Sequence, residues 1–82
     1  MKEQTKQTLA KVDALLAEAG IDKSRILEAR IWIKDMNRDF ADMNQVWNEW
    51  VDPKNKAARY CVESNLAKPS MLVEIQVVAA LW

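Results

Sequence analysis

Eighty-two residues, 50% of them hydrophobic, with 12 Lys plus Arg set against 12 Asp plus Glu and no histidine, describe a single small domain over residues 1–82. Charges of both signs run along the whole chain, which argues against nucleic acid as a partner, since such binders concentrate basic charge in a patch. One cysteine rules out an internal disulfide, and the lack of histidine removes the usual structural zinc site and the Ser-His and Cys-His nucleophile pairs.

The longest apolar run is too short to span a bilayer and no signal-peptide pattern follows Met1, so no membrane association and a cytoplasmic location are expected. A chain this short buries only roughly 60–65% of the surface its unfolded form exposes. With neither disulfide nor zinc to staple it, self-association is the expected source of extra stability.

Residues from about Lys2 to Ala19 form a helix by pattern, with Leu9, Val12, Leu16 and Ala19 recurring at three- and four-residue steps. Gly20, the only glycine, stands where a left-handed C-terminal cap belongs. No ordinary N-cap residue precedes Glu3, so the helix starts abruptly. Ile21 to Arg25 is a short connection in which Asp22 or Ser24 can bond local backbone. Ile26 to Lys34 then alternates as a strand. Leu27, Ala29, Ile31 and Ile33 are predicted to face the helices, and Ile26, Glu28, Arg30, Trp32 and Lys34 the other side. That second face mixes charge with tryptophan and suits an oligomer interface.

Asp35 to Arg38 is predicted as a turn, with Asn37 or Asp39 capping a helix from about Asp39 to Val51. Phe40, Met43, Trp47 and Trp50 form its apolar stripe, read as core laid across the first sheet face. Pro53 closes that helix within the loop Asp52 to Lys56. Ala58 to Glu63 and Met71 to about Ala80 complete the chain as strands, joined by the loop Asn65 to Ser70. The order is α-β-α-β-β: an α+β domain with two helices packed on one face of a small mixed sheet.

Polar residues on these last strands mark the candidate site. Arg59 and Cys61 share one face of their strand, and Glu74 interrupts an otherwise mostly apolar run. An arginine, a thiol and a carboxylate on a rigid sheet can form a small anion-binding site. The alternatives are structural: Arg59 pairing with Glu63 or Glu28, Cys61 as packing, Glu74 as an ion-pair partner at an interface.

The runs Ala17-Glu18-Ala19-Gly20, Asp22-Lys23-Ser24-Arg25, Ile33-Lys34-Asp35-Met36, Asp39-Phe40-Ala41-Asp42-Met43-Asn44, Ala58-Arg59-Tyr60-Cys61-Val62-Glu63 and Val73-Glu74-Ile75 resemble, in order and approximate spacing, the RidA (reactive intermediate deaminase, YjgF-like) family. The resemblance covers essentially the whole chain from the first helix onward. It implies a chorismate-mutase-like fold assembled as a homotrimer, with sheets around the axis and ligand clefts between subunits. It also implies cofactor-free hydrolysis of 2-imino and enamine acids to 2-keto acids and ammonia. By the resemblance Arg59 is the substrate-binding residue that clamps the carboxylate, Glu74 positions or activates water, and Cys61 stands beside the arginine as a second candidate catalytic residue. No metal is implied. A non-catalytic relative that binds small carboxylates or a protein partner is the alternative.

Against the family pattern the chain is shortened: the strands that ordinarily precede the first helix are missing. That implies an exposed sheet edge and an incomplete cleft wall, with Trp82 a candidate to cover apolar surface.

Overall fold

Helix α1 spans Lys2–Glu18 in the computed structural model, which describes residues 1–81, so the expected role of Trp82 lies outside the described residues. Leu9, Val12 and Leu16 of its apolar stripe are buried as the periodicity requires, whereas Ala19, at the C-terminal cap, is exposed. Gly20 adopts φ +78°, a conformation that carries no penalty for a residue without Cβ. Gly20 N–H donates to the Ala17 carbonyl at 3.0 Å and Ile21 N–H to the Leu16 carbonyl at 3.0 Å, the paired bonds of a Schellman cap. Ile21 then packs against the cluster containing Leu16.

The abrupt start is also present: Met1 stands at the N-cap position and its side chain caps no backbone N–H. Gln4 anchors this end instead. Its Nε2 donates to the Ser70 carbonyl at 2.8 Å, and its Oε1 accepts from Leu72 N–H at 2.8 Å. A single 3-10 turn at Lys23–Arg25 follows, where the Asp22 carboxylate accepts from the Ser24 backbone at 2.9 Å and from its hydroxyl. Those bonds hold the Asp22 carboxyl below the usual carboxylate range.

Three strands form one mixed sheet in the order β2-β1-β3: β1 Ile26–Ile33, β2 Ala58–Glu63 and β3 Val73–Ala79. The central β1 pairs parallel with β2 and antiparallel with β3. Ala29, Ile31 and Ile33 lie fully buried under the helices, against Leu9, Met43, Val46 and Trp47. The expected face assignment fails at one point. Leu27 is 57% exposed and Ile26 only 6%. The cause is a bulge: Ile26 pairs with Ala79 and Glu28 with Val78, so β1 carries one extra residue and the alternation reverses before Glu28.

Helix α2 covers Met36–Trp50 and therefore begins before the predicted Asp39. Asp35, rather than Asn37 or Asp39, is its cap and accepts from Arg38 N–H at 3.1 Å. Glu63, at the end of β2, adds a second carboxylate by accepting from Met36 N–H at 2.8 Å. Asp39 is instead buried and gripped by Arg38 Nη2 at 2.8 Å and Nε at 3.1 Å. Trp47 is buried as expected; Phe40 and Trp50 are half-buried at the margin of the same core. Trp50 Nε1 donates to Asp13 at 2.8 Å and ties α2 to α1.

Candidate functional site

A parallel partner fixes where the β2 side chains point. Arg59 pairs with Ala29, Cys61 with Ile31 and Glu63 with Ile33, which places all three on the helix-covered face at the free edge of the sheet. Helix α2 crosses that face and presents Phe40, Asn44 and Trp47 to Arg59 at i, i+4 and i+7 spacing. Arg59 Nη1 donates to Asn44 Oδ1 at 2.7 Å. Its guanidinium carbon lies 6.0 Å from the Phe40 ring centre and 5.8 Å from that of Trp47, within cation–π range.

Among the described residues no carboxylate pairs with Arg59. Glu28 is taken by Arg30 Nε at 2.7 Å, and Glu63 is spent on the α2 N-terminus. The guanidinium is thus held by a neutral amide and two aromatic faces. Nε and Nη2 make no hydrogen bond among the described residues, and its charge is unspent. A fork in that state suits a carboxylate.

Cys61 is half-buried against the main core. Burial pushes its thiol up, and the nearby Arg59 opposes this only in part. That direction favours the neutral thiol at neutral pH and argues against a poised nucleophile.

Glu74 sits elsewhere. It pairs with Trp32, so it projects from the opposite, helix-free face, exposed to solvent and separated from Arg59 by β1 and the thickness of the sheet. The expectation of an arginine, a thiol and a carboxylate in one small site is therefore not met within a single chain. Within a single chain the structure brings together Arg59 and Cys61, with Phe40, Asn44 and Trp47, and leaves Glu74 apart. The sequence pattern assigned Phe40 and Trp47 to the core and gave Asn44 no role. The available signal was a polar residue standing on the apolar stripe of α2, one turn from Phe40 and aligned with Arg59.

On the helix-free face, Arg30, Trp32, Tyr60 and Val62 border a shallow depression of about 280 Å³. Tyr60 is 60% exposed and Val62 49%. At the outer edge of β3, an apolar groove of about 400 Å³ runs beside α1 between Leu15, Leu16, Ile75 and Val77. Among the described residues, no three His, Cys, Asp or Glu side chains are grouped as a metal site, and no helix is long and apolar enough to cross a membrane.

The family model described as Endoribonuclease L-PSP matches residues 1–81. The chain belongs to this family. A RutC family protein of Haemophilus influenzae is 48% identical over 77 residues, covering 94% of this chain and 66% of its own length. The RutC family protein YoaB of Escherichia coli is 46% identical over 79 residues, covering 96% of this chain and 68% of the relative. A YjgF family member from Neisseria meningitidis superposes with a TM-score of 0.89 at 47% identity, over 92% of this chain and 62% of that one. The chain thus spans about two thirds of the length of its curated relatives. The α+β architecture of the YjgF proteins is the one described above, and the resemblance drawn from the sequence runs is to this family.

Proposed function

We propose that this family member binds a 2-imino or enamine acid through Arg59 and hydrolyses it to a 2-keto acid and ammonia. The observation that carries the reading is the unpaired, cradled guanidinium of Arg59 at the sheet edge. Two parallel N–H···O bonds to the substrate carboxylate orient the adjacent imine carbon, which is already electrophilic and needs only a placed water. Water adds to the C=N bond, the nitrogen gains a proton, and collapse of the carbinolamine expels ammonia and leaves the ketone. A carboxylate that takes the water proton and returns it to nitrogen suffices for this sequence. Glu74 fills that role from a neighbouring copy, because its own chain holds it on the other sheet face. The working unit is accordingly a homo-oligomer, a trimer in this reading, acting in the cytoplasm. The protonated Cys61 thiol lines the carboxylate end of the cleft as a weak donor.

The placement of Glu74 on the sheet face opposite Arg59 favours a second reading. If assembly leaves Glu74 away from Arg59, the chain binds small carboxylates without turnover. Ribonuclease activity, carried in the name of the family model, finds little support in a chain with no histidine and a net charge of +0.

The deciding experiment measures 2-keto acid release from a freshly generated 2-imino acid. Acceleration over the buffer blank by the wild type, lost in Arg59→Ala and in Glu74→Ala, is the expected result. A wild-type rate equal to the blank, with pyruvate binding intact, selects the binding-only reading. A wild type that neither turns over nor binds pyruvate overturns both.

A further inference from the structure

We infer that Asn44 is the positioning residue of the site: it aims the Arg59 guanidinium without neutralising it, and its being an amide rather than a carboxylate keeps the arginine available to an anionic ligand. This rests on the reading that Arg59 binds a carboxylate. Three contacts hold the guanidinium, and all come from one face of α2: the Phe40 ring, the Trp47 ring and Asn44 Oδ1. The aromatic faces confine the group to a slot but do not fix its rotation within it. The 2.7 Å bond to Asn44 does, by committing Nη1 and setting the direction in which the remaining N–H groups point.

The amide orientation follows from chemistry. Arginine only donates, so the Asn44 oxygen must face it. Asparagine is a poor choice for a helix interior on propensity alone, and here it stands on a stripe otherwise occupied by Phe40, Met43 and Trp47. An aspartate would make the same bond more strongly, but as an ion pair it would compete directly with the ligand carboxylate. Asn44 supplies orientation and no charge.

The test uses the full chain with ¹⁵N-labelled arginine, following the Arg59 Nε–H resonance, which is assigned by its loss in Arg59→Lys. In the ligand-free protein Asn44→Ala should broaden or shift this resonance as the guanidinium gains rotational freedom. Pyruvate, the simplest 2-keto acid, is then titrated. Asn44→Ala should bind about tenfold more weakly, with no new pH dependence. Asn44→Asp should lose more near pH ~7 and regain affinity as pH falls through the carboxylate range, about 4 and below, because protonation removes the competing charge. A merely structural role for Asn44 would not create that pH profile.

Unchanged ligand-free resonance and unchanged affinity in both variants would overturn the inference. A wild type that ignores pyruvate while its ligand-free resonance responds to Asn44→Ala would instead sink carboxylate binding by Arg59, and the claim about ligand availability with it. Positioning alone would then survive.

Discussion

Arg59 and Cys61 lie two residues apart on one face of β2, and the charge of the first acts on the ionisation of the second. Burial favours the neutral thiol, so the folded-state pKa of Cys61 stands above that of a free cysteine. The sign of the linkage follows. Stability from the neutral thiol is fully present below the free-thiol pKa, about 8.5, and is lost as pH rises through the higher folded value. Native Cys61 should therefore alkylate more slowly than a free thiol at mildly alkaline pH. Arg59→Met should push the thiol higher still and slow it further. Thiolate absorbance followed against pH checks both, and a thiolate already present at neutral pH would contradict them. Periodicity could identify these two residues as sharing a face. It could not show which face, because that depends on the parallel register of β2 against β1, a pairing between segments some thirty residues apart in sequence. The same gap hid Asn44: its role exists only once α2 is laid over β2.

At the scale of elements, alternation and punctuation made both helices, all three strands and the Gly20 cap legible, since each depends on residues within one or two turns. Misreadings fell where a distant partner intervenes. The β1 bulge is set by its ladder with β3, so strict alternation placed Leu27 inside and Ile26 outside. Substitution separates the two arrangements. Ile26→Ala should cost about 2–4 kcal/mol by opening a cavity, while Leu27→Ala should stay within about 0.5 kcal/mol. Urea midpoints measure the difference, and equal losses would argue against the bulged register. The early start of α2 is only partly of this kind: Glu63 reaches Met36 N–H from β2, but the cap itself is the local Asp35. Asp35→Ala should destabilise by about 1 kcal/mol through loss of the cap. Glu63→Ala should cost less, since the carboxylate is exposed and acts mainly through the helix dipole.

For the whole molecule, the decisive fact is that the sheet has two faces and the candidate residues are divided between them. Arg59 looks toward α2, Glu74 looks away, and Tyr60, Val62 and Val78 leave apolar surface open around Glu74's side. Apolar groups on a face that no helix of this chain covers favour association. Val62→Asp should lower the solution mass while leaving the Arg59 resonance in place, since Val62 points away from the Asn44 slot. The division also makes a sharper prediction about activity. If each site takes Arg59 from one copy and Glu74 from another, then Arg59→Ala and Glu74→Ala chains, each inactive alone, must complement when unfolded together and refolded at equal ratio. A site is intact only when its arginine comes from the Glu74→Ala chain and its glutamate from the Arg59→Ala chain. Random assortment makes roughly one quarter of sites intact in a closed ring of identical interfaces. Recovery of about a quarter of the wild-type rate is therefore expected. No recovery from a mixture that demonstrably co-assembles would mean that no site draws Arg59 from one copy and Glu74 from another.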